Sequence, residues 1–397
     1  MNIKKQISRL YLYEVVSGLQ IVDSVWVFFL LQRGFSLAQA GIAEGVFHAV
    51  SMCFEIPSGM VSDTIGRRRT LMLAGIVSAF GALFMIVSDH FFMILLAMGI
   101  NAVSYNLVSG TREALTYDSL LCAGQEELYL KVASRQEFLY EGLFAFTSLM
   151  SVVTVSLGYQ KAYLLAVLQG ILCTLCASLL KEAAAEGRED KKKLSAIAMA
   201  AEVGKHFLDT AAFLKKTPEV AWRMAYSGLV SAAVYVIYML LQDHLVAVGL
   251  EPGFLGIPLL LISLCTMAGA VLAEKSKKIS IGRLYLAGGI AAGIFLTLSG
   301  VDFLVISVIG AGAAHCISEM IMLRTETENQ KFFSSESRAT MVSAGSMAYS
   351  IFMTVLSPGG GALAEMFSVS GAFALLGLLT AAAGVIMFCR MRYKNEK

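Results

Sequence analysis

Charge is what this sequence has least of. Of its 397 residues only 15% are Asp, Glu, Lys or Arg, while 57% are hydrophobic; a soluble domain carries about 25% charged residues. That composition excludes a water-solvated globule, and with it a soluble enzyme, a nucleic-acid binder and a secreted disulfide scaffold. The formal net charge of +2 is close to neutral and points to no partner by itself. Cysteine forms no framework: seven residues (53, 122, 173, 176, 265, 316 and 389) lie scattered, mostly in apolar runs. Cys173 and Cys176 make a C-x-x-C with no second pair nearby, which reads as two small buried thiols and not as a zinc or redox site. The N-x-[ST] sequon is missing. The first apolar run has no small-residue cleavage site, so it reads as a first span and not as a removable leader. Also missing are G-x-x-x-x-G-K-[ST], H-E-x-x-H and a nucleophile elbow, which removes an ATP-driven pump, a paired-histidine metal site and a serine hydrolase. No catalytic residue, metal or cofactor is expected.

What the sequence has instead is apolar length. Windows of about 19 residues predict twelve spans: 10–31, 38–60, 70–88, 91–117, 134–157, 162–180, 219–246, 254–273, 284–301, 303–323, 340–357 and 371–389. A polar stretch from Lys181 to Pro218 separates the sixth from the seventh. It holds Lys191-Lys192-Lys193 and an amphipathic piece from Leu194 to Lys215 that suits a helix lying on the membrane surface. With the N-terminus in the cytoplasm, 28 of the 31 basic residues fall on the cytoplasmic side; Arg33 and Lys161 fall outside, and Arg112 within a span. This follows the positive-inside rule. The expected protein is an all-α membrane protein with both termini inside: a six-helix bundle over 1–180, a linker over 181–218 and a second bundle over 219–397.

The two halves repeat weakly. Gly59-Met-Val-Ser-Asp63-Thr-Ile-Gly66-Arg67-Arg68-Arg69 lies between spans two and three, and Ala270-Val-Leu-Ala-Glu274-Lys-Ser-Lys277-Lys278 between spans eight and nine, the acid 211 positions on. Two parallel six-helix halves joined by a charged linker form a transporter architecture. G-x-x-x-D-x-x-G-R-R in that loop resembles the signature of the major facilitator superfamily. Glu55-Ile-Pro57-Ser-Gly59 and Ser109-Gly110-Thr111-Arg112-Glu113-Ala114, running on to Tyr117-Asp118-Ser119, resemble a broad, drug-exporter-like bacterial group within it that has few assigned substrates. The resemblance covers the whole chain and implies alternating access between the two halves. It further implies that the loop is a latch, with Asp63 and Arg67 holding the outward-facing state and Asp118 as a partner. From the residues alone, Gly59 and Gly66 permit close approach and a tight turn, and Asp63 can exchange partners among Arg67, Arg68 and Arg69. Thr64 departs from the family, where this position is often basic.

Ionisable residues at membrane depth are costly and mark function. Spans three, six, nine and twelve carry none in their apolar stretch, as expected if these helices face lipid. In span one, Asp23 stands near mid-membrane with Gln20 a turn before it, and is the leading candidate for a proton carrier. In span two, Glu44, His48 and Glu55 fall on one stripe at about 100° per residue. Span four offers Asn101, Tyr105 and Arg112 on one face, with Glu113 beside Arg112. Span seven offers Tyr235, Tyr238 and Gln242, and span ten His315 and Glu319. Glu137 and Glu141 of span five read as reaching the headgroups.

These residues predict a secondary active transporter of the bacterial inner membrane, a monomer driven by a proton gradient. An acidic cavity with tyrosine and methionine suits cationic amphipathic compounds, which favours multidrug export. Span five lacks the proline-centred G-P motif of the family's drug/proton antiporters; Gly142 is its only glycine before Gly158. A carrier of a specific metabolite, with Arg112 gripping an anion, is the alternative. A membrane sensor that moves nothing is a third reading.

Overall fold

The computed structural model describes residues 2–183, 196–332 and 338–395, among which every regular element is helical. The first span is made by α1 (Ile3–Ser17) and α2 (Trp26–Gln32), the second by α3 (Leu37–Ile65) and the third by α4 (Arg67–Val87). The fourth joins α5 (Phe91–Val108) to α6 (Thr111–Leu121), the fifth joins α7 (Tyr129–Leu149) to α8 (Ser151–Leu157), and the sixth is α9 (Tyr159–Leu179). The linker helix is α10 (Ala196–Lys216). Spans seven to twelve are α11 (Pro218–Ala247), α12 (Gly256–Lys275), α13 (Ile281–Leu298), α14 (Leu304–Asn329), α15 (Arg338–Met366) and α16 (Val369–Asn395). Among the described residues ten helices are long and apolar enough to cross a membrane, with α5 and α6 taken together; α7 and α8, bent by 55°, make an eleventh. The run Lys191-Lys192-Lys193 lies outside the described residues.

The remaining span of the expected twelve is the first, and it is broken. Helix α1 stops at Ser17, where the Gly18 N–H bonds the Glu14 and Val16 carbonyls, and helix resumes only at Trp26. Gly18, Asp23 and Ser24 are poor helix interiors, because glycine loses most entropy there and short polar side chains compete for backbone groups. The run is apolar on both sides of the break, so hydropathy predicts one continuous helix where there are two. The restarted helix needs acceptors for its first N–H groups, and the Phe28 N–H donates to Gln242 Oε1 at 3.2 Å.

The chain divides into two compact units. The first is Met1–Ser24 with Cys53–Lys205, the second Val25–Met52 with His206–Lys397. In the first unit α4 packs on α9 and α5, and α1 on α9 and α7. Cys173 and Cys176 are free thiols in its core, beside Leu10, Tyr13, Leu71 and Leu115. In the second unit α13 packs on α16, α12 on α14, and α11 on α15.

Helices in lipid gain little from hiding apolar surface from one another, so their contacts depend on close van der Waals approach at small residues. The repeat is plainest here. A Cβ on Gly75 of α4 would stand 2.7 Å from the Gly170 carbonyl oxygen of α9, and one on Gly289 of α13 would stand 2.8 Å from Cα of Gly384 in α16. Each glycine of the second pair lies 214 positions after its counterpart in the first. Spans three and six thus pair as spans nine and twelve do. The outer faces of these four helices expose Phe80, Leu164, Ile294 and Leu378, as hydrocarbon contact requires.

The second unit also holds the start of α3. A Cβ on Gly41 would stand 2.1 Å from the Ser357 carbonyl oxygen of α15, and the Ala38 N–H donates to Glu365 at 2.8 Å. Phe213 and Leu214, at the end of α10, pack on Val220, Met224 and Ala344.

Candidate functional site

The densest charge cluster at membrane depth surrounds Arg112 in the first unit. Gly110, at φ +74, turns the chain between α5 and α6 and sets Arg112 in the first turn of α6. A cation there opposes the helix dipole, and three carboxylates compensate it. Arg112 Nε and Nη2 donate to Glu113 Oε1 at 2.9 and 2.6 Å, Nη1 to Glu14 Oε2 of α1 at 3.1 Å, and Nη2 to Glu137 Oε2 of α7 at 3.3 Å. The Glu14 side chain is 0% exposed. Its other oxygen accepts from Gln136 Nε2 at 3.1 Å, and Gln136 accepts from Thr116 at 3.1 Å. The guanidinium lies 5.7 Å from the Tyr140 ring, whose hydroxyl accepts from Gln20. Glu113 Oε2 is buried without a hydrogen-bond partner.

One guanidinium held by three carboxylates from three helices can rearrange when a proton joins one of them. Burying such a group is expensive unless it is paired and hydrogen-bonded, which leaves the cluster few stable arrangements.

Sequence reasoning found Arg112 and Glu113 but missed Glu14, Gln136 and Tyr140. Glu14 had a signal, a carboxylate inside the first apolar run, although the more central Asp23 outweighed it. Asp23 itself is exposed and lies in the break between α1 and α2. The reading of Gln20 and Asp23 as neighbours on one helical face therefore fails, because the backbone there is not helical. Glu137, more than half exposed, pairs with Arg112 at 3.3 Å; the Glu141 side chain lies outside the described residues.

Other expected stripes are divided. Asn101 turns to α4, its Oδ1 only 1.9 Å from where a Cβ of Gly81 would stand, and so serves helix packing. Tyr105 is exposed, and the α5–α6 break separates it from Arg112. Of the span-two stripe, Glu44 and His48 pair at 3.3 Å in the second unit while Glu55 belongs to the first. His48 also meets the Tyr349 ring edge-on at 5.3 Å. Gln242, buried, caps α2.

Tyr235, Tyr238 and His315 do come together. The Tyr238 ring lies 6.1 Å from Tyr235 and 5.5 Å from His315, and beside them Ser231 and Ser318 meet at 3.3 Å. Glu319 follows one turn after His315.

In the signature loop, Gly66 has φ +93 and starts α4. The Glu182 carboxylate caps that helix, accepting from the Arg67 and Arg68 backbone N–H groups at 2.8 and 3.0 Å. Arg67 Nη2 pairs with Asp118 Oδ2 at 3.2 Å, within the first unit, and Arg68 donates to the Ser178 carbonyl at 2.7 Å. Asp63 is exposed, and a Cβ on Gly59 would meet nothing within 4 Å, so Gly59 makes no close approach here. The second copy of the loop works with its chemistry reversed. Arg324, at the end of α14, donates to the Ser276 and Ile279 carbonyls, while Glu274 only faces Lys277 at 3.7 Å on the surface.

The sequence profile of the Major Facilitator Superfamily matches residues 16–326. An uncharacterised MFS-type transporter, YxaM of Bacillus subtilis (strain 168), is 28% identical over 108 residues, 27% of each chain; the match spans about a quarter of that relative. Among solved structures, the nucleoside transporter NupG superposes with a TM-score of 0.79 at 14% identity, covering 100% of both chains. A structure described for substrate recognition in proton-dependent oligopeptide transporters superposes with a TM-score of 0.73 at 14% identity, covering 99% of this chain and 100% of that one. Identities this low speak for the fold alone.

Proposed function

The chain belongs to the Major Facilitator Superfamily, and from that premise we propose a proton-coupled antiporter that exports small amphipathic or cationic compounds, a multidrug-efflux type of activity. It sits as a monomer in the bacterial inner membrane with both termini in the cytoplasm, and Arg67–Asp118 is part of its gating. The observation that carries this reading is the Glu14–Arg112–Glu113–Glu137 cluster. Three carboxylates around one guanidinium leave an excess of negative charge that attracts protons and cations. A proton on any one of them redistributes Arg112 among α1, α6 and α7, which turns protonation into a shift between helix arrangements. Proton coupling therefore moves from Asp23, exposed in the break, to this cluster.

Nε, Nη1 and Nη2 of Arg112 all already donate to carboxylates, so Arg112 is a poor grip for an anionic cargo. A dedicated metabolite carrier remains the second reading, for a neutral or cationic metabolite; NupG and the oligopeptide transporters are named for nucleosides and peptides.

The test is flux of proflavine into proteoliposomes under an imposed pH gradient. We expect gradient-driven accumulation that a protonophore abolishes. Glu14→Gln and Glu113→Gln should each reduce it at least about tenfold while leaving proflavine exchange at equal pH. Wild-type accumulation that ignores the gradient would sink proton coupling.

A further inference from the structure

His48 and His315, both in the second unit, are held in different ways. His48 has its Nε2 committed to Glu44 at 3.3 Å. In His315 it is Nδ1 that is committed, at 2.9 Å from the Ala311 carbonyl oxygen one turn back on α14. A carbonyl can only accept, so Nδ1 carries the hydrogen. The neutral ring then presents Nε2 as a bare acceptor, and Nε2 makes no hydrogen bond to any described residue. The ring is half-buried, with Tyr238 tilted against it at 63° and Tyr235 beyond. Glu319, also half-buried, is the next acceptor along the same helix face. No Lys or Arg occurs in residues 304–323 of α14, nor in 224–247 of α11, 256–274 of α12 or 284–298 of α13, the helices that pack on α14.

An acceptor that no neighbouring side chain meets is open to a donor on the cargo, which there takes the place of water. Aromatic faces beside it offer stacking, and the carboxyl of Glu319, with no basic residue near, repels anions. We propose that His315, with Tyr238 and Glu319, forms the recognition site for the cargo, and that it selects planar ring compounds bearing amino N–H donors, neutral or cationic, against anions and against rings whose amino groups are fully alkylated. This rests on the transporter reading above and supplies its substrate class. Discrimination of this kind is strong because a site built around an acceptor leaves it unpaired when the donor is missing.

Proflavine and acridine orange test it. Both are planar acridine cations of like charge with the same protonated ring N–H; they differ in the amino groups, primary in proflavine and dimethylated, without N–H, in acridine orange. Binding to the purified protein in nanodiscs, at one pH and without a gradient, is read by fluorescence anisotropy. Proflavine should bind about tenfold more tightly, the worth of one donor met by a waiting acceptor. His315→Phe keeps a ring against Tyr238 but removes the acceptor, and should bring the ratio close to one. Equal affinities in the wild type, no binding of proflavine, or a ratio unchanged in His315→Phe would each overturn the proposal. Because that variant could misfold, a second readout uses wild-type protein with ¹⁵N-labelled histidine. Proflavine should shift one acceptor nitrogen resonance that acridine orange leaves in place, and the absence of such a shift also counts against the site. Selective binding without flux would keep this site and overturn transport of these compounds; gradient-driven flux without selectivity would do the reverse.

Discussion

At the scale of single residues, the molecule is governed by the cost of charge in an apolar setting. Arg112 and Glu14 are tolerable only together, since each satisfies the other where water cannot. Arg112→Gln leaves a fully buried Glu14 facing two further carboxylates. It should lower stability by about 3–5 kcal/mol, as when one partner of a buried ion pair is removed. Glu14→Gln with Arg112→Gln should recover part of that loss. Thermal unfolding in detergent, read as a double-mutant cycle, checks both; a purely additive double variant would mean the pair does not interact. Gln242 shows a different use of a buried polar residue. Its place on the helix suited a cavity, but its carbonyl is spent on an N–H at the start of α2.

At the scale of elements, glycines decide how near helices come, and two in the same helix behave oppositely. Gly41 has the Ser357 backbone where its Cβ would be, whereas Gly59, in the family signature, has open space. Gly41→Ala must push α3 from α15, a clash with backbone that costs about 1–3 kcal/mol. Gly59→Ala should leave the melting temperature unchanged or raise it slightly, because alanine favours a helix interior over glycine by roughly 0.5–1 kcal/mol. Parallel melting curves of the two variants give the comparison, and equal destabilisation would contradict it. The same measure explains why the repeat was faint. The copies of the signature diverged into opposite chemistry, Arg67 on Asp118 against Arg324 on carbonyls, while the contacts that kept their spacing are made by glycine, which carries no functional group to notice.

At the scale of the whole molecule, the distribution of basic residues makes a prediction about sidedness. In a cysteine-free background, a cysteine replacing Arg33 should react with an impermeant maleimide added to intact spheroplasts. One replacing Lys278 should react only after permeabilisation. Labelling of both from outside would overturn the assignment of the termini. The gradient that orients the chain is electrostatic and acts on loops, so it does not depend on which helices later meet.

Sequence alone determined what depends on composition and period: a helical membrane protein, nearly every span, the linker helix α10 and the family, because hydropathy, positive charge in loops and the signature act locally along the chain. It also placed Arg112, Glu113 and Asp118, whose charge stands out against apolar neighbours. Tertiary structure alone decided the union of Glu14 with Arg112 across 98 positions, the capping of α4 by Glu182 and the capping of α2 by Gln242. Each of these turns on which helix lies against which, and on what a polar atom finds there. Apolar side chains fill a membrane span in many ways, but a charge or a bare N–H accepts only the partner that packing brings within reach.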